Sequence, residues 1–357
     1  MKYLALVFLF VVACKPSAQQ SATNLKLLAQ ANLPSTLSVG EAPFGGLSGM
    51  VSLGNVEYLA ISDDRSEHAP ARMVKLSIAL EGEELKVKPL ENITLTHDGV
   101  PFKLNELDPE GITFHNKTLI ISSEGSYRKE LRSPPFIREF GFDGAQIRDI
   151  AFDEDRYVPE AEGQMTKGVR SNLGFESVSF SPSGKILFAV TEAALRQDAP
   201  YEYHAQNIVR LMTIDPSGKS PTKEYALKLD HIQIDGAGGV LTGENGISDI
   251  MALSEKEVLI MERAWISAAK RQIVRLYSVK LDEKAEVSGI NQLAADTVVL
   301  EKDLVLDLDD LGVGLDNLEI LCRGPKVDGK ETLIVASDNN FSRSQTNQFF
   351  LFQILPK

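Results

Sequence analysis

The amino-acid sequence predicts an all-β fold, a β-propeller with six blades, with five or seven blades as the alternatives. One pattern of residues occurs five times in a fixed order: an apolar strand, a turn marked by Gly, Asn or Ser, and a second strand that ends on polar or acidic residues. Helix signals are few, and strands do not alternate with helices, which argues against doubly wound and TIM-barrel folds. A strand hairpin repeated in this way is typical of a propeller.

The five copies of the pattern share one position near the start of the first strand. Successive copies of this position lie 62, 66, 72 and 71 residues apart. It is held by Ser48, Glu110, Glu176, Ser248 and Glu319. The second strands end at Asp63 and Asp64, Ser123 and Glu124, Thr191 and Glu192, Glu262 and Arg263, and Asp338 and Asn339. Since a four-stranded blade usually takes about 40 to 50 residues, residues 25–357 have room for roughly six or seven blades with inserted loops.

The remaining strands are predicted to form the outer parts of the blades and to close the ring. Residues 71–78 and 84–95 are expected to be outer strands, and residues 135–150 a further hairpin that turns at Asp143 and Gly144. The segment LKLLAQANL, which begins at Leu25, is expected to pair with FFLFQIL at residues 349–355. The two ends of the chain would then share the last blade.

The first 13 residues are typical of an export signal. Lys2 precedes an apolar run over residues 4–12, which is too short to span a bilayer. The sequence VVAC that ends at Cys14 resembles a relaxed bacterial lipobox, which implies cleavage before Cys14 and lipidation of this residue; an ordinary signal peptide that contains a cysteine is the alternative. Residues 14–24 are then the lipidated cysteine and a polar tether, and residues 25–357 are the folded domain. We therefore expect an exported protein that is anchored by lipid in the bacterial cell envelope.

Composition and charge narrow the possible partners. The chain has 357 residues, of which 43% are hydrophobic and 24% are charged, and its formal net charge is −13. No block of Lys and Arg is interleaved with aromatic residues, so we expect no nucleic-acid partner. An acidic protein needs local arginines or bound cations to hold an anionic substrate. We expect the protein to be a monomer.

The shared position of the five repeats is the candidate for chemistry. The innermost strand of each propeller blade lines a central channel, so Glu110, Glu176 and Glu319 would face one another, with Asp249 beside the matching position of its own repeat. Converged carboxylates in a poorly solvated channel either rise in pKa or bind a cation. Carboxylate oxygens favour calcium or magnesium, and such a cation can hold a phosphate oxygen and activate water.

We therefore expect a divalent cation, calcium in the first place, bound by Glu110, Glu176, Asp249 and Glu319. The three glutamates are the predicted catalytic residues. The acids at the ends of the second strands, Asp63, Glu124, Glu192 and Asp338, suit ion pairing with arginines as well as they suit metal binding.

Four arginines are candidates for binding a phosphate group, because the guanidinium fork fits phosphate oxygens. They are Arg65, Arg72, Arg128 and Arg263. The alternative is that these arginines and the acids form buried ion pairs that only hold the blades together.

Several short motifs, taken in order, resemble one known family. The motifs are GGLSGM, SDDR, DPEGI, SSEGS, NLGFES, TEAAL, ENGISDI, MER, DNLEIL and SDNNF. From about residue 40 to the C-terminus they are similar to the phytase-like family, described as having esterase-like activity of phytase. The resemblance implies an exported, propeller-like β domain whose recurrent Asp and Glu residues support phosphoester hydrolysis. It also implies that Glu244 and Asn245 contribute to substrate binding at the channel mouth, where a turn with a satisfied Asn is the alternative.

The chain departs from the family pattern at three points. It has NLEIL where NLEGL is usual, and Ser48 and Ser248 stand where other repeats carry glutamate. Two functions from different classes therefore remain. The first is an exported, cation-assisted phosphoester hydrolase with a small phosphorylated substrate. The second is a non-catalytic envelope propeller that binds a ligand or a protein, in which the acids are structural.

Overall fold

The computed structural model describes residues 25–128, 131–161, 164–199, 207–236 and 239–355. The predicted signal peptide, Cys14 and the tether lie outside the described residues. Helix in the described ranges is limited to Glu154–Tyr157 and to two short 3₁₀ turns, Glu283–Ala285 and Leu308–Leu311. None of these helices is long and apolar enough to cross a membrane.

Five antiparallel sheets of four strands each form the body of the described chain. In order from the channel outwards, blade 1 consists of Leu47–Gly54, Glu57–Ser62, Arg72–Glu81 and Glu84–Thr94, and blade 2 of Pro109–His115, Thr118–Ser123, Phe136–Phe140 and Gln146–Asp149. Blade 3 consists of Phe175–Phe180, Leu187–Thr191, Ile208–Ile214 and Lys223–Lys228, and blade 4 of Glu244–Ala252, Glu257–Ile266, Arg271–Lys280 and Lys302–Asp307. Blade 5 consists of Asn317–Arg323, Thr332–Asp338, Thr346–Ile354 and Leu25–Pro34. The connecting loops hold four small hairpins: Ser38–Val39 with Ala42–Pro43, Thr96–His97 with Val100–Pro101, Ser126–Arg128 with Leu131–Ser133, and Gln233–Gly236 with Gly239–Thr242.

The first strands of neighbouring blades contact one another in a ring that closes from blade 5 back to blade 1. The chain is therefore a five-bladed β-propeller, which confirms the predicted fold. The blade number is five, one of the two alternatives, and not six. The described ranges contain no sixth blade, because each repeat of 62 to 72 residues is a single blade. Long outer strands in blades 1 and 4, and loops such as residues 281–301, take up the remaining length.

Blade 5 contains both ends of the described chain. Leu25–Pro34 pairs antiparallel with Thr346–Ile354, from Leu25 opposite Ile354 to Pro34 opposite Thr346. The predicted closure is thus confirmed. It joins the first and last segments of the domain by a backbone ladder, so that the ring does not end in an open seam.

The core lies between the faces of neighbouring blades. The largest cluster joins blades 5 and 1 through residues such as Tyr58, Val74, Ile334 and Phe349, and similar clusters fill the other four interfaces. The second strands are covered on both faces, as in Leu187–Thr191, where every residue is buried. This packing gives a rigid frame on which the starts of the first strands and the ends of the second strands meet at one mouth of the channel.

Candidate active site

Each first strand carries a β-bulge at the same place. In all five blades the first strand has one residue more than the second strand opposite it, between Leu47 and Gly49, Pro109 and Ile112, Phe175 and Ser177, Ile247 and Asp249, and Leu318 and Ile320. The residues within these intervals include Ser48, Glu110, Glu176, Ser248 and Glu319, the five residues that the sequence repeats align. A bulge removes a residue from the regular alternation and re-aims its side chain. We call these five residues the bulge layer.

The ends of the second strands supply a neighbouring layer. It consists of Asp63, Glu124, Glu192, Arg263 and Asp338, which lie opposite Gly46, Asp108, Gly174, Gly246 and Asn317, at the start of the first strands or just before it. We call it the strand-end layer. Four of its members are acids, whereas blade 4 contributes Arg263. The same blade has Ser248 in the bulge layer, so blade 4 places a cation at the mouth where blades 2 and 3 place two carboxylates each.

Five carboxylates of blades 2 and 3 come together in two overlapping groups. The groups are Asp108, Glu110 and Glu124, and Glu124, Glu176 and Glu192. Within each group, one carboxylate oxygen of each residue lies within 4.8 Å of one oxygen of both others. Glu124 belongs to both groups and is 2% exposed. Like charges this close cannot all ionise unless a cation or protons compensate them. The structure thus brings together two predicted residues, Glu110 and Glu176, with buried acidic groups that could hold a metal ion.

The surroundings raise the pKa of these acids. Burial raises the pKa of Glu110, and Asp108 and Glu176 raise it further. Burial also raises the pKa of Glu176 and of Glu124, with Glu192 and Asp108 respectively as the strongest charged neighbours. Burial raises the pKa of Glu192 to about 7, although the positive charge of Arg263 opposes the rise. Without a cation, burial and mutual repulsion therefore favour the protonated forms of these acids.

Glu319 lies at the other side of Arg263 and belongs to neither group of close carboxylates among the described residues. Its Oε1 lies 3.0 Å from Nη1 of Arg263 and accepts a hydrogen bond of 2.7 Å from Nδ2 of Asn317. Its Oε2 accepts a bond of 3.3 Å from Oγ of Ser48. Arg263 also lies 3.6 Å from Oε1 of Glu192. Glu319 is therefore an ion-paired residue that positions Arg263 beside the acidic cluster.

Asp249 follows its bulge by one residue and is held by three neighbouring strands. Its Oδ1 accepts bonds of 2.5 Å from Oγ of Ser177 and 2.8 Å from its neighbour Ile250, and its Oδ2 accepts a bond of 2.6 Å from the N–H of Leu321. Burial raises the pKa of Asp249 to about 7, although these hydrogen bonds lower it. Asp249 lines a separate cavity of about 180 Å³ further along the first strands and lies outside both carboxylate groups. Its contacts tie blades 3, 4 and 5 together.

The predicted arginines have different surroundings. Nε of Arg65 lies 2.5 Å from Oδ1 of Asp108, so this guanidinium borders the cluster. Arg72 is 2% exposed, and its Nη1 lies 2.6 Å from Oδ2 of Asp64, whose carboxylate also accepts the N–H groups of residues 67–69. Arg72 thus holds the loop after the second strand of blade 1, as in the structural alternative. The side chain of Arg128 lies outside what the structure describes.

A small cavity opens beside Arg263. Its volume is about 120 Å³, and the residues around it include Glu192, Glu244, Asn245, Trp265 and Gln272. Glu244 is exposed, whereas Asn245 is 8% exposed and donates from Nδ2 to the carbonyl of Asp230 and to Oε2 of Glu262. Both residues of the predicted pair therefore lie at the mouth, one open to solvent and one fixed in the frame.

Sequence reasoning left three members of the cluster without an assigned role. Glu124 and Glu192 were recognisable as acidic ends of second strands, but the sequence did not separate metal binding from ion pairing for them. Asp108 gave no signal beyond its place at the start of the DPEG motif. The regular offset between the two strands of each hairpin could have identified all three, because it places Asp108 opposite Glu124.

The chain matches one protein family over most of its length. A sequence model of the Phytase-like family, described as esterase-like activity of phytase, matches residues 42–341. An uncharacterized secreted protein of Arthroderma benhamiae is 24% identical in an alignment 184 residues long, which covers 44% of this chain and 34% of that protein. The match therefore spans about a third of the length of this relative.

Among solved structures the similarity is distant. An exo-1,5-alpha-L-arabinanase from a bovine ruminal metagenomic library is 9% identical, with a TM-score of 0.43 over 89% of this chain and 95% of that one. A putative oxidoreductase (glucose dehydrogenase) of Thermus thermophilus is 10% identical, with a TM-score of 0.41 over 91% and 99% of the two chains. Likeness at this level says nothing about the chemistry of this protein.

The family match contains every residue of the bulge layer and of the strand-end layer. It also covers all four strands of blades 1 to 4 and the first two strands of blade 5. On the strength of this match the chain belongs to the Phytase-like family.

Proposed function

We propose that this protein is an exported phosphoester hydrolase that acts at the channel mouth formed by blades 2, 3 and 4. The observation that carries the proposal is the group of five close carboxylates between two guanidinium groups, those of Arg65 and Arg263. Family membership supports an ester-cleaving reaction, because the family is described by esterase-like activity. The substrate in this proposal is a small phosphorylated molecule.

The carboxylate cluster fits a divalent cation. Oε1 of Glu124 accepts a bond of 3.0 Å from the N–H of Gly174, whereas Oε2 is buried and no N–H or hydroxyl group of the described residues donates to it. A buried carboxylate oxygen without a donor is costly unless a proton or a cation satisfies it. Oxygen-only ligands favour calcium or magnesium, and we propose calcium, held by Asp108, Glu110, Glu124 and Glu176, with Glu192 beside the ion but not coordinated to it.

A divalent cation at this position would supply positive charge for a phosphate oxygen and for the activation of water. Arg65 and Arg263 would also bind the phosphate group. Arg263 lies 3.0 Å from Glu319 and 3.6 Å from Glu192, so its guanidinium is held in place where it borders the small cavity. Arg65 closes the opposite side through Asp108. Planar guanidinium groups held in this way can donate two hydrogen bonds to one phosphate group.

Glu192 is the proposed proton carrier. Burial raises its pKa to about 7 in the cation-free cluster, so this carboxyl group is poised to exchange protons near neutral pH. A general base with a pKa near the working pH contributes about 10² to 10⁴ in rate. Glu192 would take a proton from the attacking water, while Glu110 and Glu176 keep the cluster negative enough to retain the cation.

Export and anchoring are part of the proposal. The apolar N-terminal segment and the secreted relative support export. The VVAC motif supports attachment of lipid at Cys14, which would hold the propeller at a membrane of the cell envelope as a monomer.

One observation favours the second candidate, a propeller that binds a ligand without catalysis. Arg65 and Arg263 are both already paired with carboxylates of the protein, as expected for residues that hold blades together. In that case the acids would bind calcium for stability alone.

An assay with and without calcium distinguishes the two candidates. The protein is stripped with EDTA and then tested with restored calcium on p-nitrophenyl phosphate, a monoester, and on bis(p-nitrophenyl) phosphate, a diester. We expect restored calcium to recover turnover of at least one ester, and Glu192→Gln to lower it by about 100-fold. The matched control is Glu83→Gln, which changes an exposed turn residue. If the folded, calcium-loaded protein turns over neither ester, the hydrolase proposal is wrong.

A further inference from the structure

Trp265 is the single tryptophan of the chain and lies at the channel mouth. It stands opposite Glu244 in the ladder between the first two strands of blade 4. Its side chain is 40% exposed, although a tryptophan usually buries most of its surface. A large aromatic face next to a candidate active site is available for stacking against a ligand.

The polar atoms around this cavity mostly accept hydrogen bonds. Oδ1 of Asn245 and Oε1 of Gln272 are buried and have no hydrogen-bond partner within the part of the chain that the structure describes. The orientation of the Asn245 amide is fixed, because its Nδ2 already donates to Asp230 and Glu262. The carboxylates of Glu192 and Glu244 add further acceptors. A ligand that satisfies the cavity must therefore donate more hydrogen bonds than it accepts.

A sugar ring has this chemistry. Its hydroxyl groups donate from the edge, and its C–H face stacks on an aromatic ring. The described residues that line the cavity offer one cation, Arg263, and the cavity is small, at about 120 Å³. A ring with many phosphate groups would bring anions against Glu192 and Glu244, and it would have few hydroxyl hydrogens left for Asn245 and Gln272.

We propose that this cavity binds the ring of a sugar monophosphate, with the ring stacked on Trp265, its hydroxyl groups donating to Asn245 and Gln272, and its phosphate against Arg263. The inference rests on the proposed function for the position of the phosphate. The inference goes beyond the proposed function because it favours a ring with one phosphate over a ring with several. Binding of the ring does not require hydrolysis, so the two proposals can fail separately.

Tryptophan fluorescence reports on this cavity directly, because Trp265 is the only tryptophan. The calcium-loaded protein is titrated with glucose 6-phosphate and, in separate arms at equal ionic strength and equal free calcium, with glucose, inorganic phosphate and myo-inositol hexakisphosphate. We expect a saturable change with glucose 6-phosphate and an affinity about tenfold higher than for any other arm, which corresponds to roughly 1.4 kcal/mol. No saturable change with glucose 6-phosphate, or tighter binding of the hexakisphosphate, would overturn the proposal.

Variants test the named contacts by calorimetry. Trp265→Ala should weaken glucose 6-phosphate by about tenfold, as expected for the loss of one stacking contact, and Trp265→Phe should recover part of the loss. Gln272→Leu should weaken glucose 6-phosphate by a similar factor while inorganic phosphate binds as before. The control is Val298→Ala, an exposed apolar residue that does not line the cavity. If Trp265→Ala and Gln272→Leu bind glucose 6-phosphate like the control, the ring does not lie in this cavity.

Phosphate release, measured in parallel, separates this inference from the proposed function. Saturable fluorescence with no phosphate released from glucose 6-phosphate or from the p-nitrophenyl esters supports the sugar site and contradicts the hydrolase. Turnover of the p-nitrophenyl esters without a fluorescence response supports the hydrolase and contradicts the sugar site.

Discussion

Blade 3 and the channel mouth each bury several charged side chains, and they differ in how those charges are compensated. In blade 3, Arg210 is fully buried and donates two hydrogen bonds to Asp198, at 2.7 and 2.9 Å, and one of 2.9 Å to Glu224. Glu224 also pairs with Arg156 and accepts a bond of 3.1 Å from the hydroxyl of Tyr157. Each buried charge in this network has an opposite charge or a hydrogen bond fitted to it.

At the channel mouth the acids outnumber the cations of the described chain. Five carboxylates cluster within two overlapping groups, and the neighbouring guanidinium groups of Arg65 and Arg263 each contact only part of the cluster. No N–H or hydroxyl group of the described residues donates to Oε2 of Glu124. Burial of charge alone therefore does not mark a functional site. A deficit of counter-charge, built into a rigid frame, is the better indicator of a place for a ligand.

Loss of Arg210 should strongly destabilise the network of paired charges in blade 3. Arg210→Met would leave Asp198 and Glu224 buried with much less positive charge, so the free energy of unfolding should fall by about 3 to 5 kcal/mol. Urea unfolding in the presence of calcium measures it. The rise in melting temperature caused by calcium should persist, because Arg210 does not touch the mouth. A loss of under about 1 kcal/mol would show that blade 3 does not depend on this pairing.

Removal of one charged group at the channel mouth, in contrast to Arg210→Met, should not destabilise the calcium-free protein. Glu124→Gln removes one of several repelling carboxylates, so the calcium-free protein should be no less stable than the wild type. Calcium at about 100 times its Kd should stabilise the wild type by about 2.7 kcal/mol, and this gain should disappear in the variant. Melting curves with EDTA and with calcium give both values, and Glu83→Gln should behave like the wild type. A variant that keeps the full calcium effect would exclude Glu124 as a shared ligand.

The alignment of repeats in the sequence predicted much of this comparison. It placed Glu110, Glu176 and Glu319 at one equivalent position, and in the structure each of them is a bulge residue. The strand hairpins and the pairing of the two chain ends were also predictable, because alternating apolar residues and turn residues are local signals.

Other features depend on geometry that a single sequence does not contain. Asp249 lies one residue beyond the bulge position, and this shift is enough to aim its carboxylate at Ser177 and Leu321 instead of the cluster. Whether Glu124 pairs with an arginine or stands among acids depends on which blade follows blade 2 in space. The blade number was ambiguous because long outer strands resemble extra hairpins when only the local pattern is read.

The free energy of unfolding of the calcium-free protein should depend on pH, because acids at the channel mouth have raised pKa values. Burial, partly opposed by Arg263, raises the pKa of Glu192 from its usual value to about 7. Between about pH 4.5 and pH 7 the folded state therefore binds more protons than the unfolded state, so the free energy of unfolding falls as pH rises. In EDTA we expect a loss of about 1 to 3 kcal/mol between pH 5 and pH 8. The raised pKa values of Glu110, Glu124 and Glu176 act in the same direction.

Calcium should reverse much of this loss, because it binds the ionised carboxylates and competes with their protons. Urea midpoints at pH 5 and at pH 8, with EDTA and with calcium, measure both effects. Glu192→Gln should give a flatter profile in EDTA. A calcium-free protein that is more stable at pH 8 than at pH 5 would mean that compensating charges have been overlooked at the mouth.

An exposed ion pair on blade 1 should contribute little to stability, in contrast to the buried pairs of blade 3. Lys86 and Glu84 form an ion pair of 2.5 Å on the surface of blade 1, with side chains that are 47% and 70% exposed. Lys86→Gln removes the same kind of contact as Arg210→Met, but water already screens both groups, so unfolding should change by within about 0.5 kcal/mol. A large loss in Lys86→Gln would mean that ion pairing alone, whatever the burial, determines the stability of this propeller. In that case the contrast between blade 3 and the channel mouth could not be assigned to compensation of buried charge.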